Sequence, residues 1–201
     1  VICRLFNELP PGVAASRVLD LADAYLKQPE VVALADTERC GARYSTAELL
    51  ALEARVLRQC HDGLDAGAPT ATRSALFRAL DTRPSMSEEQ RSAVGAIVMS
   101  GNAVDVVIAG PGTGKTFSLD AAKEAWQRSG HRVIGCALSA AAAHQLQSGS
   151  GIPSTTIAML DIDLRRRHEW FDANPVLVVD EAGMVRTRAI APLIDQATEA
   201  G

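Results

Sequence analysis

Val104-Asp-Val-Val-Ile-Ala-Gly-Pro-Gly-Thr-Gly-Lys-Thr116 is the stretch on which the fold turns. Its apolar first half predicts a buried strand over Val104–Ala109. A glycine-rich turn follows, then a helix over Thr116–Arg128 that ends before Gly130. The turn fits the phosphate-loop pattern, with Ala109 where the first glycine usually stands. Gly110, Pro111, Gly112, Thr113 and Gly114 let the backbone curl so that successive N–H groups face phosphate oxygens. The helix N-terminus behind them adds a favourable dipole. Lys115 is placed to reach the β- and γ-phosphates of a nucleotide, and the Thr116 hydroxyl to ligate Mg²⁺. A glycine-rich turn that binds nothing is the bland alternative, and the Lys-Thr pair between strand and helix argues against it.

Downstream, with Asp180 sixty-five residues beyond Lys115, Val176-Leu-Val-Val-Asp180-Glu181 predicts a strand over Pro175–Asp180 ending in two acids. Such a strand delivers its carboxylates to the carboxyl edge of a parallel sheet, where ligands of open α/β sheets bind. Asp180 is the candidate to hold Mg²⁺ through its water shell, and Glu181 to orient or deprotonate an attacking water. The surrounding grammar alternates. A helix is expected at 88–99, closed by Gly101, a strand at Arg132–Leu138, and a helix at Ala140–Gln147. Ile190, Leu193, Ile194 and Ala197 place a helical stripe after the acidic strand. Apolar strands alternating with helices give an α/β fold, a parallel sheet covered on both faces.

Three softer signals leave alternatives open. Gln90 stands 20 residues before Gly110. Its amide suits the adenine edge of ATP, yet Ser87-x-x-Gln90 is also a capping box. Ser139 opens the Ala-rich run to Leu146, where a polymer backbone could come close and a phosphate bond the hydroxyl. Tight packing on the sheet explains the same alanines. Ser154-Thr155-Thr156 is expected to open a short helix, as caps or as DNA phosphate contacts. Arg165-Arg-Arg-His168 reads as a solvated helix face.

Upstream, residues 12–28 and the stretch after Ser45 read as helices, with Ser45-x-x-Glu48 as a capping box and Leu49, Leu52 and Val56 facing inward. Val31–Leu34 reads as a short strand ended by a turn at Thr37–Gly41. The Gly- and Pro-containing stretch 61–72 is the linker candidate, and a short helix is expected around Ala75–Leu80 before the break at Pro84-Ser85. The expected organisation is a mainly helical accessory segment over 1–83 and the ATPase part over 84–201. The 201 residues carry a net charge of −4, and neither half is strongly basic, with 10 basic and 11 acidic residues over 1–86 against 10 and 13 beyond. Charge alone therefore does not announce nucleic acid. No apolar stretch approaches the ~20 residues of a membrane span. Cys3, Cys40, Cys60 and Cys136 have no metal-ligand spacing, which suits free thiols in a reducing cytoplasm. The opening Val1-Ile2-Cys3-Arg4 carries no initiator Met or signal peptide, so the chain reads as part of something longer.

In this order, Gln90, the phosphate loop, Ser139–Leu146, Ser154–Thr156 and Val176–Met184 resemble a superfamily 1 helicase, most closely the RecD-like ATPase domain. Val179-Asp-Glu-Ala-Gly-Met184, Ser139-Ala-Ala-Ala-Ala-His144 and Arg43-Tyr-Ser-Thr-Ala-Glu-Leu-Leu50 are similar to the helicase portion of MobF-type conjugative relaxases. The resemblance implies a RecA-like P-loop NTPase using ATP and Mg²⁺, with Gln90 reading adenine and Ser139, Thr155 and Thr156 touching single-stranded DNA. It implies 5′-to-3′ translocation, and a second RecA-like lobe of the same chain bearing arginine fingers worth about 10³–10⁵ in rate. It also implies a strand between the phosphate-loop strand and the Asp-Glu strand that these residues do not supply. Poor stability and no helicase activity are therefore expected of these residues alone. A RecD-type repair helicase and an ATP-dependent switch without translocation are the competing readings.

Overall fold

The computed structural model describes residues 9–10, 12–37, 41–110, 112–166 and 175–199. The chain divides into two compact units, residues 1–54 and 55–201.

In the first unit, α1 (Ala15–Leu26) buries Val18 and Ala22. β1 (Val31–Thr37) and β2 (Gly41–Thr46) form an antiparallel hairpin with Val31 opposite Thr46 and Leu34 opposite Arg43. β2 was not expected. Ser45, read as a helix cap, instead lies in the ladder opposite Val32. The next residue takes the cap, with the Leu49 N–H donating to Thr46 Oγ1 at 3.2 Å. Residues 38–40 of the expected turn lie outside the described residues, while Thr37 and Gly41 are paired strand residues. α2 (Ala47–Asp62) crosses the division between units, and Leu49, Leu52 and Val56 are half-buried.

The stretch expected as a linker is a packed strap. The Ala68 N–H donates to Gly101 O and the Ala71 N–H to Val98 O at 2.7 Å, and Ala71 is buried. The carbonyls at a helix end lack intrahelical partners, and the strap supplies them. α3 (Arg73–Asp81), capped by Thr72, and α4 (Glu88–Met99), capped by Ser87, follow. Between them Arg83 binds α5 (Lys115–Arg128) through Asp120 and Glu124.

β3 (Val133–Ala137) is the central strand of a parallel three-stranded sheet, flanked by β4 (Ser154–Thr156) and β5 (Val176–Val179). α6 (Ala140–Ser150) joins β3 to β4, α7 (Ile157–Arg166) follows β4, and α8 (Thr187–Glu199) ends the described chain. Alternation along β5 defines two cores. Val176 and Val178 pack with Val94, Val98, Ala121, Ala125, Trp126 and Val133, while Leu177 and Val179 pack with Cys136, Ile157, Leu160, Leu164 and Leu193. Successive strand residues face opposite ways, so helices cover both faces of the sheet. The α/β fold expected from the alternating pattern is present.

Two further expectations are corrected. Val104–Ala109 is not a strand, and it is not buried, with Val106 82% and Ile108 95% exposed. β-Structure needs a neighbour to exchange hydrogen bonds, and no described strand pairs with this run. Among the described residues β5 is paired on one edge only, by β3. Second, Ser154–Thr156 is a strand rather than a helix start, with Thr155 opposite Cys136 and Thr156 opposite Ala137. The helix begins one residue later. Arg167 and His168 lie outside the described residues, as do Cys3 and Cys40. Among the described residues no helix is long and apolar enough to cross a membrane.

Candidate nucleotide site

The glycines place the loop. Gly112 and Gly114 sit at φ +77° and +78°, a region that strains any residue with a Cβ. Thr113 braces the turn by donating its hydroxyl to Gly110 O at 2.8 Å. Gly114 then caps α5, whose first residue is Lys115. Pro111 lies outside the described residues.

Parallel strands end at one edge of the sheet, so Asp180 after β5, Ser139 after β3 and Thr156 at the end of β4 share it. The phosphate loop meets that edge, because Lys115 Nζ lies 3.5 Å from Asp180 Oδ1. The same carboxylate oxygen accepts the Glu181 N–H at 3.0 Å. Glu181 holds a left-handed backbone, φ +52°, at the head of the 3₁₀ turn Ala182–Met184. Such a conformation costs a residue with a Cβ about 1–3 kcal/mol and clusters at functional sites.

Gln90 makes the capping box and more. Its Oε1 accepts the Ser87 N–H at 3.0 Å, Ser87 Oγ accepts the Gln90 N–H, and Gln90 Nε2 donates to Thr113 O at 2.8 Å. It therefore ties α4 to the phosphate loop, a bond that the sequence pattern did not reveal. A Cβ on Gly114 would lie 2.4 Å from Gln90 Nε2, so glycine there also leaves room for the amide. Thr116 packs against Gly149 of α6. That contact was also missed, because the run Gln147-Ser-Gly-Ser-Gly151 reads as a helix end.

The three candidate DNA contacts sit on the same edge in different states. Ser139 Oγ caps α6 by accepting the Ala142 N–H at 3.1 Å, and Thr156 Oγ1 caps α7 by accepting from Met159 at 3.2 Å. Thr155 is a half-buried strand residue. Cys136, behind the edge, is pushed up to about 12 by burial, so its thiol stays protonated. Among the described residues no three His, Cys, Asp or Glu side chains converge as a metal cage. The oxygens of Thr116 and Asp180 fit a hard cation that keeps most of its water and shares phosphate ligands, as Mg²⁺ does.

A family profile described as "AAA domain" matches residues 85–201. The chain belongs to that family. This AAA domain is of the RecD-like superfamily 1 helicase type. The chain is 33% identical over 174 residues to "Conjugal transfer protein TraA" of Agrobacterium fabrum, covering 87% of the chain and 16% of the relative. It is 34% identical over 195 residues to "Probable conjugal transfer protein TraA" of Sinorhizobium fredii, covering 95% of the chain and 18% of the relative. A TraA of Rhizobium radiobacter is 32% identical over 174 residues, 87% of the chain and 16% of the relative. The chain thus spans less than a fifth of the length of these relatives.

Proposed function

We propose that this AAA domain is the first motor lobe of an ATP-driven DNA helicase, carried by a cytoplasmic conjugative relaxase that acts in DNA transfer between cells. The approach of Lys115 to Asp180 at the N-terminus of α5 carries the reading. It brings a phosphate-binding ammonium and a carboxylate to one point at the end of the sheet. ATP would lie along the loop Gly110–Thr116, with Lys115 on its β- and γ-phosphates. Thr116 and Asp180 would hold Mg²⁺, which neutralises phosphate charge when bound. Glu181, one residue past Asp180, orients and deprotonates the water that attacks the γ-phosphate. Gln90 reads the adenine edge while supporting the loop.

Single-stranded DNA would cross the edge at Ser139, Thr155 and Thr156, moving 5′ to 3′ as a second RecA-like lobe opens and closes. The open edge of β5 and the exposed run Val104–Ala109 are where a further strand of the same sheet would pair. The conjugal-transfer names of the relatives favour this setting over a repair helicase.

The test is ATP hydrolysis by the full-length protein with and without single-stranded DNA, beside Lys115→Ala and Glu181→Gln. DNA should stimulate the wild type. Lys115→Ala should lose nucleotide binding, and Glu181→Gln should bind ATP but not turn it over. ATP binding without DNA stimulation would replace the motor by a nucleotide switch, and retained turnover in Glu181→Gln would remove Glu181 from its role.

A further inference from the structure

We propose that Gly149 is a positioning residue that sets the direction of the Thr116 hydroxyl; the inference rests on the nucleotide reading above. Gly149 lies inside α6 and faces the first turn of α5. A Cβ at Gly149 would sit 2.4 Å from Thr116 Cγ2 and 3.4 Å from its Cβ, with Oγ1 farther away at 3.8 Å. The Thr116 methyl therefore occupies the notch left by the missing side chain, and the hydroxyl is held away from it.

Neither partner has an easy escape from an added methyl. Lys123 Nζ donates to Ser150 O at 2.8 Å, and Ser150 Oγ to Leu146 O at 2.6 Å. The first bond fastens the end of α6 to α5, and the second, inside α6, firms the turn that carries its acceptor, so α6 cannot back away without breaking the Lys123 bond. Thr116 is β-branched at the start of a helix, and its side chain has few allowed settings. Turning its methyl out of the notch turns the hydroxyl with it. A glycine inside a helix is itself unfavourable relative to alanine, and here the notch gives a reason for it. Gly149 acts on the metal ligand only through Thr116.

The experiment uses the full-length protein and a fluorescent ATP analogue, titrated with magnesium and with chelator. Wild type should bind more tightly with magnesium. Gly149→Ala should keep its magnesium-free affinity within about twofold and lose about tenfold or more of the magnesium-dependent gain, the scale of lost support around a metal ligand. Thr116→Ser removes the obstructing methyl and keeps the hydroxyl, so Gly149→Ala/Thr116→Ser should recover the gain. A wild-type gain in Gly149→Ala, or no recovery in the double variant, would overturn the inference. So would an equal loss with and without magnesium. If Gly149→Ala fails to fold, as circular dichroism would show, the double variant should fold, and an unfolded double variant overturns the contact as the cause. A wild type with no magnesium-dependent binding overturns the nucleotide reading instead, and the inference with it.

Discussion

Arg83→Met should destabilise the second unit by about 2–3 kcal/mol, a figure set by how the guanidinium is held. Arg83 Nε and Nη2 donate to Asp120 Oδ2 at 3.0 and 2.6 Å, while Nη1 donates to Glu124 Oε2 at 2.7 Å and to Ala79 O at 2.6 Å. The Arg83 side chain is 12% exposed, against 29% for Asp120 and 23% for Glu124. Hydrogen bonds to charged groups are worth roughly 1.5–3 kcal/mol each, but they do not add. After the change Asp120 keeps Lys123 at 2.9 Å and Glu124 keeps Arg128 at 2.8 Å, and water reaches both carboxylates. The loss should therefore exceed the ~0.2–1 kcal/mol of an exposed pair and fall below the ~3–5 kcal/mol of breaking a fully buried one. Methionine preserves the packing of the arginine stem.

The pH dependence is a second check on the same change. Burial pushes the Asp120 carboxyl up, but bonds from Lys123 and Arg83 and their charges outweigh it and hold the group below the usual range. Glu124 is likewise held low, with burial opposed by bonds from Arg83 and Arg128. A depressed carboxyl contributes stability above its unfolded value of about 4 and loses it as pH falls through the lower folded value. The gap between wild type and Arg83→Met, read from denaturant midpoints, should thus be full near about pH 7 and shrink below about pH 4. A gap under about 0.5 kcal/mol at neutral pH, or one that does not shrink in acid, would refute the reasoning.

Gln90→Ala should weaken ATP binding more than GTP binding, measured by competition against one fluorescent nucleotide. Equal losses would leave Gln90 as a support of the loop alone. Gly135→Ala should cost about 1–3 kcal/mol in chemical denaturation, as overpacking does, because a Cβ there would meet Ser154 Oγ and Leu146 Cδ2. An unchanged midpoint would show that α6 and β4 give way easily.

What could be read from the sequence followed how local the signal was. The phosphate loop, the cap at Ser87 and the helix Glu88–Met99 are set by neighbours a few residues apart, and they stand where expected. Strands are different, since a strand exists only with a partner. Val104–Ala109 has the composition of a buried strand and no described neighbour to make it one. β2 was hidden by the reverse ambiguity. Serine and threonine suit both a cap and a pleated ladder, and a shift of one residue from Ser45 to Thr46 separates the two readings. Ser154–Thr156 carries the same ambiguity, since Thr156 both ends β4 and caps α7.

That overlap of structural and binding roles has a chemical limit, and it differs among the candidate residues. Ser139 and Thr156 accept an N–H through the hydroxyl oxygen and keep their own proton to donate. On the proposed reading a DNA phosphate would therefore add a bond without breaking a cap. Gln90 is in another position. Its oxygen serves Ser87 and its amide nitrogen serves Thr113, although the nitrogen carries a second proton and the oxygen a second lone pair. Adenine reading by Gln90 must use those remaining sites or exchange the present bonds, and either course moves the amide that touches the loop. On the proposed reading, base recognition and loop geometry would thus be coupled through one side chain, whereas the hydroxyls on the sheet edge would meet a ligand independently of the helices they cap.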